Sequence, residues 1–195
     1  FGGCESGDAI CDVLFGDKVP SGKLTATMPK SVGQIPLYYN HLNTGRPLKE
    51  GKWFSKFTSN YLDIDNGPLY PFGYGLSYTT FKYGKPTLSS NTMTNNETIS
   101  VSVDITNTGN YDADEIAQMY IRDLAASISR PVKELKGFER ISIKKGETKT
   151  VTFTITPEDL KFYNQELEYK NEPGEFEVMV GPNSKDVQTL TFTLK

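Results

Sequence analysis

From about residue 85 to the C-terminus, apolar side chains recur at every second position. Ile99, Val101, Val103 and Ile105 alternate with Ser, Asp and Thr, and Ala117, Met119 and Ile121 keep the same rhythm. So do Val151, Phe153 and Ile155, then Phe176, Val178 and Val180, and finally Leu190, Phe192 and Leu194. Successive side chains of a strand point to opposite faces, so this period fits half-buried strands and not helices, whose apolar face returns every 3.6 residues. Turn residues punctuate the runs at Asn107-Thr108-Gly109-Asn110, Lys145-Gly146, Pro173-Gly174 and Gly181-Pro182-Asn183. Several short strands so spaced predict an antiparallel β-sandwich of immunoglobulin or fibronectin type III kind. No cysteine falls in this part, which excludes the antibody-type disulfide. Phe153, Phe176 and Phe192 occupy the inward phase. Pro157-Glu158-Asp159-Leu160 reads as one helical turn, because proline suits the first helical position.

Residues 1–30 have a different character. Ser6 is placed to cap a helix whose Ile10, Val13 and Leu14 follow at i, i+3, i+4 spacing, and Gly16 stands at the expected stop. After a turn at Pro20-Ser21-Gly22, alternating Leu24, Ala26 and Met28 predict a half-buried strand. One short helix and one strand cannot bury their apolar faces against each other alone. With Phe1 in place of an initiator Met, this leads to the expectation that the chain is a piece of a longer polypeptide and residues 1–30 a truncated α/β remnant. The remnant is then expected to be poorly ordered, packed on the sandwich, or paired with a second copy in a homodimer.

Residues 31–84 show neither period but are rich in Gly, Pro, Asn and Tyr. They hold Tyr38, Tyr39, Trp53, Phe54, Phe57, Tyr61, Tyr70, Phe72, Tyr74, Tyr78, Phe81 and Tyr83, 12 of the chain's 23 aromatic residues. A solvated linker would expose all of that area, so the segment is expected to lie pinned against a neighbour as an arm. The domain plan is therefore 1–30, 31–84 and 85–195, and the fold class is mainly β.

A net charge of −3 argues against nucleic acid, whose phosphates call for clustered Lys and Arg. No apolar run approaches the roughly 20 residues of a membrane span. Cys4 and Cys11 stand seven apart across a predicted helix, about 10 Å between Cα atoms, too far for a disulfide. They read as free, packed thiols, and with a single histidine, His41, no metal set emerges. Gly73 and Gly75 lack the Lys-Ser/Thr of a phosphate loop and are assigned to close backbone approach or positive φ. The acid pairs Glu5/Asp8, Asp63/Asp65 and Asp112/Asp114 read as helix-start, turn and loop carboxylates rather than a catalytic couple. No nucleophile elbow of the G-x-S-x-G type occurs.

Three segments carry a family resemblance: Ser6–Asp17 continued by Pro20–Leu24, Gly33–Pro47 (GQIPLYYNHLNTGRP), and Leu69–Phe81 (LYPFGYGLSYTTF). Arg130–Phe138 (RPVKELKGF) extends it into the sandwich. In this order they resemble the C-terminal part of family 3 glycoside hydrolases, with most likeness to bacterial periplasmic β-glucosidases. The resemblance implies that residues 1–30 end a second α/β domain and that the sandwich is the terminal fibronectin type III-like domain. It also implies that the nucleophilic Asp and acid/base Glu lie upstream, so no catalytic residue is assigned here. The parent protein would hydrolyse terminal β-D-glucosyl residues with retention, without metal or organic cofactor, in the periplasm or outside the cell. Its partners would be the upstream catalytic domains and a β-glucoside or oligosaccharide substrate. Aromatic faces stack on sugars, and Asn, His and Arg bond hydroxyls, so Tyr39, His41, Asn43 and Arg46 are the candidates for a substrate rim. The competing reading is a carbohydrate- or protein-binding module, with the sandwich or arm holding the ligand; exposed, coplanar aromatics on the sandwich would support it and buried ones would remove it, while a stalk or spacer would explain the sandwich but not the remnant.

Overall fold

The computed structural model describes residues 3–48, 52 and 54–195. Trp53, counted above among the aromatics of the arm, lies outside them. The chain opens with α1 (Ser6–Phe15) and a 3₁₀ turn (Val32–Gln34). It then forms β1 (Phe81–Tyr83), β2 (Thr87–Leu88), β3 (Thr92–Met93), β4 (Ile99–Asn107), β5 (Ala113–Asp123), β6 (Glu134–Ile143) and β7 (Thr148–Ile155). A second 3₁₀ turn (Pro157–Leu160) leads to β8 (Phe162–Tyr163), β9 (Tyr169–Lys170), β10 (Gly174–Gly181) and β11 (Gln188–Leu194).

Two sheets face each other. In one, β4 pairs with β7 on one side and with β1 and β2 in succession on the other. The second has the order β3-β11-β10-β5-β6. All these pairings are antiparallel except β3 with β11, which is parallel. The apolar phase read from the sequence is the interior: Val101 and Ile105 of β4, Ala117 of β5, Ile155 of β7 and Phe176, Phe192 and Leu194 of β10 and β11 are 0–1% exposed. Fully burying such a side chain contributes about 1.5–3 kcal/mol, so a one-residue slip in register would be heavily penalised.

The predicted helical turn at Pro157–Leu160 is present, with Thr156 and Asp159 in a reciprocal capping box and Leu160 buried. The predicted turn at Asn107 is built by a buried side chain. Asn107 Oδ1 accepts from Thr79 Oγ1 (2.6 Å) and the Gly109 N–H (3.1 Å), and its Nδ2 donates to the carbonyls of Tyr111 (2.7 Å) and Ile143 (3.0 Å).

Several expectations are corrected. Strand pairing starts at Phe81, before residue 85, because β1 completes the β4 sheet. β6 has no counterpart among the alternating runs of the sequence. It is an edge strand with Phe138 67% exposed, and a bulge opposite Met119 and Tyr120 breaks its alternation. Ser6 begins α1 rather than capping it; Glu5 is the N-cap residue and makes no side-chain cap. Gly16 does end the helix, in the left-handed region at φ 86°. Leu24, Ala26 and Met28 do not form a regular strand. Leu24 and Met28 bond the arm instead, through Leu24 N–H to Tyr74 O (2.8 Å), Gly73 N–H to Leu24 O (2.8 Å) and the Met28–Tyr70 bridge. None of the ten residues of α1 is buried, and Ile10 and Leu14 are 64% and 72% exposed. The cysteines are free but exposed, not packed, because no described element covers this helix.

Candidate functional site

Buried polar and aromatic groups tie the arm together and seat it on the sandwich. Gln34 is 0% exposed. Its Oε1 accepts from the Lys30 N–H (2.7 Å), and its Nε2 donates to the carbonyls of Asp65 (3.0 Å) and Gly67 (3.1 Å). Tyr39 stacks on Phe72 with centroids 4.2 Å apart, meets Tyr120 of β5 edge-on at 5.9 Å, and accepts at its hydroxyl from the Leu135 N–H (3.3 Å). On the outer face of β5, Gln118 donates through Nε2 to Gly73 O (3.1 Å) and Pro182 O (2.7 Å), while Tyr120 donates to its Oε1. Gly73 has φ 79°, and a Cβ there would stand 2.0 Å from Gln118 Oε1. Gly75 brings its backbone against the Gly22 carbonyl, 2.3 Å from where a Cβ would sit. The two glycines thus serve positive φ and close approach respectively.

The opening segment is tied in by a buried ion pair. Lys23 Nζ lies 3.1 Å from Glu115 Oε1, with the side chains 13% and 5% exposed. Tyr83 of β1 donates its hydroxyl to the same oxygen at 2.8 Å. Burial, reinforced by the Glu115 carboxylate, pushes the Tyr83 phenol far above its usual range, so it is a donor at any working pH. Tyr78 donates its hydroxyl to the Val13 carbonyl, holding α1 to the arm.

The four rim candidates are split by the structure. Tyr39 is half-buried cement. His41 is exposed; its carbonyl accepts from the Val132 N–H (2.9 Å) beside the Leu42–Pro131 bridge, and its ring Nδ1 sits 2.9 Å from Leu42 O. Asn43 and Arg46 are exposed, with the Arg46 carbonyl accepting from the Ser59 N–H (2.9 Å). Tyr39 and His41 line a cleft of about 820 Å³ between arm and sandwich, with Tyr38, Asn60, Tyr61 and Lys185; Asn43 and Arg46 do not line it. Sequence reasoning missed Gln34, Glu115 and Gln118. Glu115 and Gln118 have partners remote in the chain, so no local pattern marks them, whereas Gln34 closes a capping box with Ser31 whose Ser-x-x-Gln spacing is a local signal.

The acidic residues have structural work. Asp65 accepts from Lys30 Nζ (2.6 Å) and the Gly67 N–H (2.8 Å), and Asp112 accepts from the Lys145 N–H (2.7 Å). Asp114 pairs with Arg140 (2.7 Å) and accepts from the Ser142 hydroxyl. The Lys30 hydrogen bond holds the Asp65 carboxyl below its ordinary range, and the Ser142 hydroxyl, then Arg140, do the same for Asp114. A carboxyl held ionised is a poor proton donor, so neither suits general acid catalysis. A depressed folded-state pKa gives stability that is present above the unfolded value near 3.9 and is lost as pH falls through the folded one. Unfolding midpoints followed from pH 5 to 2 should therefore fall less steeply below about pH 4 in Asp114→Asn than in the parent; parallel curves would refute the assignment. Asp123 behaves oppositely, because burial raises its pKa and stability declines as pH rises through that shifted value. Among the described residues no group of three or more His, Cys, Asp or Glu could hold a metal ion.

The architecture is that of a fibronectin type III-like sandwich carrying a short α/β segment on an aromatic arm. Residues 1–78 match the Glycosyl hydrolase family 3 C-terminal domain and residues 115–184 the Fibronectin type III-like domain. The chain is 56% identical over 194 residues to a periplasmic beta-glucosidase of Salmonella typhimurium, covering 100% of this chain and 25% of that protein. It is 46% identical over 197 residues to a beta-xylosidase of Formosa agariphila, covering 100% and 26%. It superposes on the crystal structure of a beta-glucosidase from Listeria innocua in complex with glucose with a TM-score of 0.89 and 45% identity, covering 97% of this chain and 26% of that one. The chain belongs to the family 3 glycoside hydrolases and matches their C-terminal part. It spans about a quarter of the length of the relatives it matches.

Proposed function

We propose that this portion is the structural end of a retaining β-glucosidase that hydrolyses terminal β-D-glucosyl residues and acts in the periplasm or outside the cell. On this reading residues 1–30 complete the preceding α/β domain, residues 31–80 connect, and the sandwich from Phe81 onward braces the assembly; the upstream catalytic domains are the partner of α1. Retaining hydrolysis calls for two carboxyls about 5–5.5 Å apart, and those lie on other parts of the polypeptide. The observation that carries the reading is the likeness of this whole chain to a quarter of the Salmonella protein, in a chain whose candidate acids Asp65 and Asp114 are already committed to ion pairs. His41, Asn43 and Arg46, exposed on the arm, supply polar contacts at the substrate rim, and Tyr39 positions their loop.

The test compares the whole polypeptide with the 195-residue chain on nitrophenyl β-glucoside and β-xyloside. Only the whole protein is expected to turn over, with the glucoside preferred. Arg46→Ala in the whole protein should raise KM for cellobiose about tenfold, the effect of one lost charge-assisted hydrogen bond. Turnover by the chain alone, abolished by changing one of its own carboxylates, would refute the proposal.

A further inference from the structure

Arg130–Phe138 extends the family likeness into the sandwich, and its first residue is turned away from solvent. The Arg130 side chain is 15% exposed although it is charged. Its guanidinium lies 4.4 Å from the ring centroid of Phe162, a residue 3% exposed, and donates through Nη2 to Glu134 Oε2 at 2.7 Å. A charge withdrawn from water is retained where it is paired, and a guanidinium plane gains further from stacking on an aromatic face. Both supports are fixed in the fold, because Phe162 opens β8 and Glu134 opens β6.

Arg130 and Glu134 bracket Pro131 and Val132, and the arm rests on those two residues. Pro131 forms an antiparallel bridge with Leu42, and the Val132 N–H donates to His41 O at 2.9 Å. Just past the ion pair, the Leu135 N–H donates to the Tyr39 hydroxyl at 3.3 Å. The stretch from Tyr39 to Leu42 is thus held by three contacts that lie within or beside the span of one ion pair. The other anchors of the β5–β6 connection hold its first half: Leu124 N–H bonds Glu175 O at 3.2 Å, and Ser127 bonds Glu172 through its N–H (2.8 Å) and its hydroxyl (2.6 Å). Backbone groups in a connection of this kind open to water unless side chains fix them from below. In the second half Arg130 does so, tied to β6 at its Nη2 and to β8 at its face.

We propose that Arg130 is a positioning residue for the substrate rim: through Pro131 and Val132 it fixes the arm loop that carries His41, Asn43 and Arg46. This rests on the proposed role of those three residues at the rim; the clamp beneath them is independent of it. Lys136 Nζ, 3.8 Å from Glu134, still faces that carboxylate when Arg130 is removed, so Arg130→Ala is expected to fold.

The clamp is tested on the 195-residue chain by amide hydrogen exchange. In Arg130→Ala the Val132 and Leu135 amides should exchange about tenfold faster or more, while Val103 and Val178 of the core keep parent rates. Arg130→Lys should stay close to the parent, since its ammonium can still meet Glu134 and the buried Arg130 Nε has no partner among the described residues to lose. In the whole polypeptide, Arg130→Ala should raise KM for cellobiose about threefold to tenfold with kcat nearly unchanged, because a misplaced loop loses binding and not chemistry. A merely structural role would lower kcat with the folded fraction and leave KM alone. The double variant Arg130→Ala/Arg46→Ala should match Arg46→Ala, as both changes act through one loop. Parent-like exchange at Val132 and Leu135 in Arg130→Ala would overturn the clamp. A KM that rises in Arg46→Ala but not in Arg130→Ala, or that multiplies in the double variant, would overturn the positioning role and leave the rim standing. A KM that neither variant moves would refute the rim itself, and the positioning role with it.

Discussion

Lys23→Met is expected to destabilise the chain by about 3–5 kcal/mol, the cost of leaving a buried carboxylate without its counter-ion. Glu115 is 5% exposed at its side chain and Lys23 13%, so water cannot substitute for the lost partner. Glu115→Gln retains an acceptor for the Lys23 ammonium and for the Tyr83 hydroxyl and should cost less. The double variant Lys23→Met/Glu115→Gln should recover at least half of the loss, because both charges then leave the interior together. Urea midpoints of the four chains close the cycle. A Lys23→Met penalty below about 1 kcal/mol, the range of surface pairs, would show that the site is solvated in solution.

Gly73→Ala should be comparably severe, because two effects combine at one atom. The backbone at φ 79° costs a side chain about 1–2 kcal/mol, and the new Cβ would sit 2.0 Å from Gln118 Oε1. Gln118 must then leave Gly73 O, Pro182 O and the Tyr120 hydroxyl, and each buried polar group left unpaired costs about 1–3 kcal/mol. A total of about 3–5 kcal/mol is expected, together with faster proteolysis of residues 31–79, since the arm loses its seat on β5. Gln118→Ala removes the obstructing group, so Gly73→Ala in that background should cost little beyond the backbone strain. Equal penalties in both backgrounds would place the strain elsewhere.

Both sites explain why the arm could be located but not understood from its residues alone. Its aromatic density already required a neighbour, and Tyr39 and Phe72 do pack there. Which neighbour, and through which polar atoms, depended on Glu115 and Gln118, whose partners stand far away in the chain. The rim candidates were chosen for side-chain chemistry in one loop, and the fold put only Tyr39 and His41 of the four on a common cleft.

The strand rhythm, the turns at Asn107 and Pro157 and the inward phenylalanines were determined by the sequence itself. Those signals arise between residues two to four apart, where sterics and burial act locally. The β6 edge, the rerouting of Leu24–Met28 onto the arm and the exposed Tyr163–Tyr169 pair were decided by tertiary structure. A bulge breaks the alternation that an edge strand with one covered face would otherwise show, and a remnant segment bonds whatever backbone lies nearest. Exposure itself is a property of what packs above a side chain, which no local pattern encodes.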